Sequence, residues 1–373
     1  MLLRGKYNLY YRLCISSGLL IVLGSVFVLS SSLAYGISKT GNPAYFFEKH
    51  LLWLSLGGIG VFLINKIGSE RIEKYAKIIF LFSLILLPLP KFFGSLRWIR
   101  IGPLSFQPSE LIKFTFIIYL SDFLKRKKSS IHNWKTLSIP VFLLLIITGI
   151  LELQSDLGTF VIISLIFVFL LFIAGAKIKY LISLFLAGIF LLAGLILPSG
   201  YRRERIKVYL NPDYDPLGKG YQMNQSKITL GSGGIFGKGL GAGERKLKFL
   251  PEAHKDYVYA VVGEELGFVG TFSILLFFGI VVFSGFEVSK LSHNLFDKYL
   301  SAGLSALFGF QFLLHSAVVL GIVPSKGTTL PFFSVGGSSL IVNLLALGLL
   351  LHIARKECFR SEIEDFQQFS FDF

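Results

Sequence analysis

The chain has 373 residues, of which 53% are hydrophobic and only 16% are charged, and its formal net charge is +15. A soluble domain of this length needs a more polar surface, and apolar stretches of about 20 residues, long enough to cross a bilayer, recur along the sequence. The composition therefore excludes an ordinary soluble protein and predicts an all-α, polytopic membrane protein. Nucleic acid is excluded as a partner because the basic residues lie in short loops between the apolar segments.

Ten apolar segments are candidate transmembrane helices, and nine is the alternative because the third, fourth and fifth are short or mildly polar. In chain order they are 13–35, 51–67, 77–91, 108–124, 137–151, 157–175, 180–198, 257–285, 299–322 and 333–354. With the N-terminus inside, every inner loop carries Lys or Arg, as the positive-inside rule requires. The even count then returns the C-terminus to the cytoplasm.

This topology predicts a single membrane domain over 1–373, with a large periplasmic loop at about 199–256 between spans 7 and 8. An acidic cytoplasmic tail follows at about 357–373. The periplasmic loop contains eleven Lys and Arg residues against six Asp and Glu residues. Long loops escape the positive-inside rule, so this excess has no topological cause and predicts an anionic ligand on the outer face.

Several outer residues are candidates for binding that ligand. They lie in the segment 92–107, in the long loop and around the start of the tenth span. For the tryptophan of the segment 92–107, the alternative is an anchor at the membrane interface. The candidates are Arg97, Trp98, Arg100, Arg203, Lys238, Lys326 and Ser338.

The stretch LPEAHKDYVYAVVGEELG, residues 250–267, places Asp256 just before the eighth span and Glu264 and Glu265 inside it. An acid at this depth normally faces the bundle interior or a water-filled cavity and has a cationic partner. Lys113, one turn into the fourth span, is predicted to pair with Asp256 or Glu264. Snorkelling to the surface is the alternative for Lys113, and helix capping is the alternative for Asp256.

Two further acids precede spans on the outer side. Glu110 lies in the first turn of PSELIKF, and Asp156 precedes the sixth span in QSDLGT. Capping or a favourable position at a helix N-terminus accounts for both, so a direct functional role is one of two open interpretations.

The glycine-rich stretch GSGGIFGKGLGAGE, residues 231–244, does not match a P-loop, because Gly239 stands where Ser or Thr must follow the lysine. A loop whose backbone amides approach a phosphate remains an alternative. The E-x-H-x-D spacing of Glu252, His254 and Asp256 is a weak signature for a hard divalent cation, Mg²⁺ or Mn²⁺.

These motifs resemble those of a known family. FFGSLRWIRIGPLSFQPSELIKF, QSDLGT, NPDYDPLGKGYQ, GSGGIFGKGLGAG, LPEAHKDYVYAVVGEELG and KGTTLPFFSVGGSS occur in the order found in the SEDS family (shape, elongation, division and sporulation). The resemblance covers nearly the whole chain. PSKG before TTLPFFS is more similar to the FtsW branch than to the RodA branch, whereas Ser155, Lys255 and Val335 depart from the usual family residues.

The resemblance implies a peptidoglycan glycosyltransferase of the bacterial inner membrane that polymerises lipid II into glycan strands during cell division, at the septum. Its implied partners are a class B penicillin-binding protein transpeptidase and other division proteins. Asp256 matches the catalytic aspartate of the family, and the positions of Trp98, Glu110, Lys113 and Asp156 match others regarded as functional.

The chemistry agrees with this inventory of residues. A sugar hydroxyl that attacks an anomeric carbon needs one general base, and a diphosphate leaving group needs cations rather than a carboxylic acid. Direct displacement inverts the anomeric centre. Three alternatives stay open: a lipid II flippase, an elongation polymerase like RodA, and a scaffold without catalytic activity.

Overall fold

The computed structural model describes residues 2–101, 104–211, 214–215, 218–324 and 327–371, and about 78% of the structure is helical. The α-helices of these residues are α1 (Leu2–Thr40), α2 (Tyr45–Leu86), α3 (Leu89–Phe92), α4 (Pro108–Arg126), α5 (Trp134–Leu153), α6 (Leu157–Ile173), α7 (Ile178–Ile196), α8 (Gly200–Leu210), α9 (Lys219–Gly231), α10 (Arg245–Lys248), α11 (Val258–Leu291), α12 (Leu295–Val319) and α13 (Gly337–Phe371). Two short antiparallel strands, β1 (Ile99–Ile101) and β2 (Leu104–Phe106), form a hairpin before α4. The predicted all-α class is confirmed.

Two of the long helices are broken at a glycine. In α2 the break lies at Gly68, which has φ 78° and ψ 158°, and it falls between the predicted second and third spans. In α11 it lies at Gly267, which has φ 66° and ψ −160°. Both glycines have positive φ, a region that an L side chain enters only with strain.

Seven helices in the described part of the chain are long and apolar enough to cross a membrane, which makes this a multi-pass membrane protein. They are α1, α2 with α3, α5, α7, α11, α12 and α13, each taken over its described residues. The apolar helix α6 is shorter, and α4 is more polar. Each of the ten predicted spans overlaps a helix, but the count of ten and the position of the long loop remain predictions.

Helix α4 forms the centre of the bundle. Sixteen of its nineteen residues are buried, and α2, α6, α12 and α13 pack around it. A helix enclosed by protein on all sides does not need a lipid-facing apolar surface, which explains why α4 tolerates Glu110, Lys113 and Asp122. Helix α7 is the opposite case: Leu181 is its one buried residue, so most of its surface faces lipid.

Candidate active site

Asp156 joins the beginnings of α6 and α4 at one end of the bundle. Its Oδ1 accepts a hydrogen bond from the Thr159 backbone N–H at 3.3 Å, which confirms the interpretation of Asp156 as an N-cap. Its Oδ2 accepts hydrogen bonds from Ser109 Oγ at 2.9 Å and Gln107 Nε2 at 3.4 Å. The side chain is 4% exposed. Capping and cross-linking therefore account fully for this buried acid.

Ser338 brings the beginning of α13 to the same place. Its Oγ accepts a hydrogen bond from the Gln107 backbone N–H at 2.9 Å and donates one to the Ser105 carbonyl at 3.2 Å. The N-terminal ends of α4, α6 and α13 therefore meet beside the β-hairpin. Their partial positive charges favour anions at this end of the bundle.

The Arg97 guanidinium holds the link between α5 and α6. Its Nε donates to the Gln154 carbonyl at 2.9 Å, and its Nη2 donates to the carbonyl of Ser155. Ser155 has a positive φ of 56°. Part of the Arg97 charge is thus used to fix this tight turn rather than being fully available to a ligand.

The other basic and aromatic candidates on this face are placed differently. Trp98 is half-buried, and its backbone N–H donates to Ser95 Oγ at 3.2 Å. Arg100 on β1 and Arg203 on α8 are exposed, and neither has an ion-pair partner among the residues that the structure describes. Lys326 lies outside the described residues. Arg100 and Arg203 are therefore the candidate cations whose charge is available to an anionic ligand.

Lys113 forms an ion pair with Glu110, with Nζ 2.9 Å from Oε2 and both side chains buried. The predicted pairing of Lys113 with Asp256 or Glu264 is wrong. Residues three apart on a helix are neighbours on its surface, so the local carboxylate satisfies the lysine. The pair is enclosed by the bundle around α4.

Asp256 lies in the turn that leads into α11. Its backbone N–H donates to the Glu252 carbonyl at 3.0 Å, and its carboxylate faces Gly327, where a Cβ atom would lie 3.3 Å from Oδ2. No donor among the described residues makes a hydrogen bond to this carboxylate. The side chain is half-buried. Of the acids that the sequence singles out, Asp256 is the one without an assigned structural partner in the described part of the chain.

The surroundings of Asp256 change its acidity. Burial, and secondarily the negative charge of Glu252, raise its pKa to about 6, although the positive charges of Lys255, Arg205 and Arg97 oppose this change. A pKa in this range keeps the carboxylate ionised at neutral pH and makes it more basic than an exposed aspartate. This is the state that a general base requires.

His254 anchors the segment that carries Asp256. Its ring stacks on Tyr35 with the centroids 4.4 Å apart and contacts Phe46 at 5.7 Å. Its carbonyl accepts a hydrogen bond from the Val335 backbone N–H at 2.9 Å. Burial, and secondarily the positive charge of Lys255, lower the pKa of His254 to about 4, so the ring is neutral near pH 7. The sequence offered no signal for this aromatic contact.

Residues 327–336 cover the same segment from the other side. Ser334 Oγ donates to the Lys255 carbonyl at 2.6 Å and accepts from the Leu330 backbone N–H at 2.9 Å. Together with the Val335 bond, these contacts hold the turn at Asp256 against the loop that precedes α13. The backbone next to Asp256 is therefore held by the loop before α13.

The E-x-H-x-D motif does not form a binding site for a divalent cation in the described residues. Glu252 Oε2 is 3.0 Å from Lys255 Nζ, and His254 Nε2 is 3.9 Å from the same carboxylate oxygen. The residues that the structure describes contain no group of three or more His, Cys, Asp or Glu that could hold a metal. A requirement for Mg²⁺ or Mn²⁺ remains a prediction.

Glu264 and Glu265 bind the glycine-rich stretch 231–244 rather than facing an open cavity. Glu264 Oε1 is 2.9 Å from Lys238 Nζ and accepts hydrogen bonds from the Glu244 and Arg245 backbone N–H groups. Glu265 Oε1 pairs with Lys246 and accepts a hydrogen bond from Ser30 Oγ at 2.6 Å. Both glutamates are fully buried. The structure thus brings the candidates Lys238 and Glu264 together in a structural ion pair.

The backbone of this stretch caps both ends of the break in α11. The Lys238 and Gly239 N–H groups donate to the Glu264 and Glu265 carbonyls at 3.0 Å. On the other side of the break, Phe268 N–H donates to the Gly234 carbonyl at 2.9 Å, and Val269 N–H donates to that of Ile235 at 3.1 Å. The backbone groups freed by the break are therefore satisfied within the membrane protein, as a low-dielectric environment demands.

Glycine is required where the two segments touch. A Cβ atom at Gly233 would lie 2.0 Å from the Gly263 carbonyl oxygen, and one at Gly237 would lie 2.2 Å from that of Glu265. Gly237 also has a positive φ of 80°. The glycines of this stretch therefore allow close packing and capping of the α11 break. Because some of the backbone N–H groups already donate to α11, fewer of them are available to bind a phosphate.

These features define a multi-pass helical membrane protein with an ionisable aspartate in the turn before a membrane-spanning helix. A family model described as cell cycle protein and covering FtsW, RodA and SpoVE matches residues 11–358. The chain belongs to this family, and the predicted SEDS membership is confirmed.

Relatives and a solved structure agree with the family assignment. The chain is 35% identical to the probable peptidoglycan glycosyltransferase FtsW of Trichlorobacter lovleyi, with 89% of each chain covered. It is 37% identical to the protein of the same name from Coxiella burnetii, covering 94% of this chain and 96% of that one. It also resembles a chain of a peptidoglycan synthase complex whose structure addresses coordination of polymerization and crosslinking, with a TM-score of 0.73, 31% identity and coverage of 94% and 98%.

Proposed function

We propose that this protein is a peptidoglycan glycosyltransferase that polymerises lipid II into glycan strands at the outer face of the bacterial inner membrane. Membership of the family and the names of its relatives support glycosyltransferase activity. Asp256, Arg100 and Arg203 have no ion-pair partner among the described residues, whereas the buried ion pairs of the site are structural. In the predicted topology these three residues lie on the outer side, where lipid II would reach them.

The observation that carries the proposal is the environment of Asp256. Its carboxylate has no hydrogen-bond donor among the described residues, burial raises its pKa to about 6, and the loop before α13 holds the adjacent backbone. A carboxylate that only supported the fold would have donors, as Asp156 does. Asp256 is therefore the residue best suited to take a proton from substrate.

In the proposed reaction, Asp256 removes the proton from the attacking sugar hydroxyl. The oxygen forms a bond to the anomeric carbon of the second lipid II molecule while the bond to the diphosphate breaks, which inverts that carbon. The negative charge that develops on the leaving diphosphate needs cations close by. Arg100 and Arg203, both exposed, supply mobile positive charges on the outer surface, and the converging N-terminal ends of α4, α6 and α13 add partial positive charge.

We assign the protein to cell division, with a class B penicillin-binding protein as its transpeptidase partner and the septum as its location. The relatives named FtsW favour the division branch, and the PSKG sequence before TTLPFFS agrees. A transpeptidase partner is favoured by the likeness to a synthase complex concerned with polymerization and crosslinking. An elongation role like that of RodA is the runner-up.

Incubation of the purified protein and its transpeptidase partner with lipid II tests the proposal. We expect glycan strands from the wild type and no detectable strands from Asp256→Asn, which preserves size but cannot accept the proton. Glu244→Gln, which neutralises an exposed acid of the same outer region, serves as the matched control and is expected to retain activity. Thermal unfolding and partner co-purification show that the Asp256 variant is folded.

Two other functions give different results in the same experiment. A flippase moves labelled lipid II across vesicles and produces no polymer, whereas a scaffold leaves both readouts unaffected by Asp256→Asn. Full polymer yield from the Asn variant would contradict the assignment of Asp256 as general base.

A further inference from the structure

A groove of about 520 Å³ lies between α1 and α11, away from the candidate active site. Its walls are apolar side chains such as Ile15, Leu19 and Phe283, which are 62%, 40% and 70% exposed. Gly279 forms part of the wall, and no atom lies within 4 Å of the place where its Cβ would be. Because both helices cross the membrane, the groove opens to the lipid.

The depth of the groove matches one leaflet. On α11 the lining residues lie between Leu275 and Glu287, which are twelve positions apart, or about 18 Å along the helix at about 1.5 Å per residue. One leaflet of hydrocarbon is about 15 Å thick, half of a bilayer core of about 30 Å. A transmembrane helix of a partner protein would extend across the whole hydrocarbon core, whereas an acyl chain of a lipid extends across one leaflet. Since α11 begins next to Asp256 and Glu287 lies at its other end, this is the leaflet opposite the candidate active site.

The end of the groove carries both signs of charge. Arg12 on α1 forms an ion pair with Glu287 on α11, and the two side chains are 49% and 48% exposed. A half-exposed pair of this kind contributes little to stability, so its groups are available for exchange with a ligand. The guanidinium suits a phosphate, and the carboxylate suits an ammonium group.

From this geometry we propose that the α1–α11 groove binds a zwitterionic phospholipid with a primary ammonium headgroup, such as phosphatidylethanolamine. One acyl chain lies along the wall at Gly279, the phosphate binds Arg12, and the ammonium donates hydrogen bonds to Glu287. An anionic lipid without an ammonium group would place its headgroup beside the Glu287 carboxylate with nothing to neutralise it. This selectivity distinguishes a built site from the general attraction of basic loops for anionic lipid.

The proposal is tested by native mass spectrometry of the full chain in detergent, titrated separately with phosphatidylethanolamine, phosphatidylcholine and phosphatidylglycerol. We expect tightest binding of phosphatidylethanolamine, because the quaternary ammonium of phosphatidylcholine cannot donate a hydrogen bond and phosphatidylglycerol has no cation. The double variant Arg12→Gln/Glu287→Gln should weaken phosphatidylethanolamine binding about tenfold, the loss expected for removal of charge-assisted contacts. Lys290→Gln, which removes an exposed charge one turn away, should leave it unchanged.

A second variant tests the acyl-chain part of the site without touching its charges. Gly279→Leu fills the groove and should displace the lipid, whereas Gly188→Leu on the lipid-facing α7, which also has open space at its Cβ, should not. Equal or tighter binding of phosphatidylglycerol would overturn the proposal, as would unchanged binding in both the charge variant and Gly279→Leu. None of these readouts depends on the proposed polymerase activity.

Discussion

The carboxylate of Asp256 faces the backbone of Gly327 so closely that a Cβ atom on the glycine would lie 3.3 Å from Oδ2. Gly327 is part of the segment that leads to α13, so residues distant in sequence enclose one side of the acid. Enclosure removes water from the carboxylate, and this raises its pKa.

The pH dependence of polymerisation should report this raised pKa. The base is active only when ionised, so we expect kcat/KM to rise with pH and to level off above about pH 6, the pKa to which burial raises Asp256. The measurement is the rate of lipid II consumption between pH 4.5 and pH 8 at fixed ionic strength. A profile that is flat down to pH 4.5 would contradict the assignment.

Lys255→Thr should move this profile to higher pH. Burial raises the pKa of Asp256 and Lys255 lowers it, so removal of the cation leaves the carboxyl harder to ionise. The rising limb of kcat/KM is therefore expected above its wild-type position. Lys49→Thr, which removes the cation above the Tyr45 ring, is the control and should leave the limb in place. A shift to lower pH after Lys255→Thr would show that another group controls the profile.

Gly237→Ala should destabilise the protein strongly. The new Cβ would lie 2.2 Å from the Glu265 carbonyl oxygen, and the residue has a positive φ. We expect a loss of about 2–5 kcal/mol, the combined cost of overpacking and left-handed strain. Gly231→Ala, where no atom lies within 4 Å of the Cβ position, is the control. Denaturant unfolding in detergent measures both, and equal stability of the two variants would refute the close packing of this loop.

Glu265→Gln should also destabilise the fold, because it leaves the buried Lys246 ammonium without its carboxylate. The expected cost is about 3–5 kcal/mol, as for other buried ion pairs that lose one partner. Glu252→Gln breaks the exposed pair with Lys255, and its cost should stay below about 1 kcal/mol. The same unfolding measurement compares the two, and a small loss at Glu265 would mean that water reaches Lys246.

Local patterns in the sequence were sufficient for the helical class and for the capping role of Asp156. Apolar length identifies membrane helices, and an acid before an apolar run indicates an N-cap. The Glu110–Lys113 pair also follows from a local rule, because residues three apart on a helix are neighbours, whereas the predicted distant partner of Lys113 was wrong.

The remaining features depend on contacts between distant segments. Lys238 and Glu264 are 26 positions apart, and their pairing follows from the folding of the glycine-rich stretch against α11. The break at Gly267 lies inside a sequence that is otherwise continuous and apolar, so periodicity predicts an uninterrupted helix. The stacking of His254 on Tyr35 likewise joins two segments that no local rule connects.

The capping of the α11 break by main-chain atoms separates the positions of the glycine-rich stretch into two groups. Gly233 and Gly237 leave no space for a larger residue, whereas Phe236 between them is 82% exposed and contributes no side-chain hydrogen bond. Substitutions should therefore be tolerated at exposed positions of this stretch, whereas the spacing between its closely packed glycines should stay constant. For the same reason, position 236 is a suitable attachment point for a spectroscopic label that reports on the surroundings of this stretch while the fold is preserved.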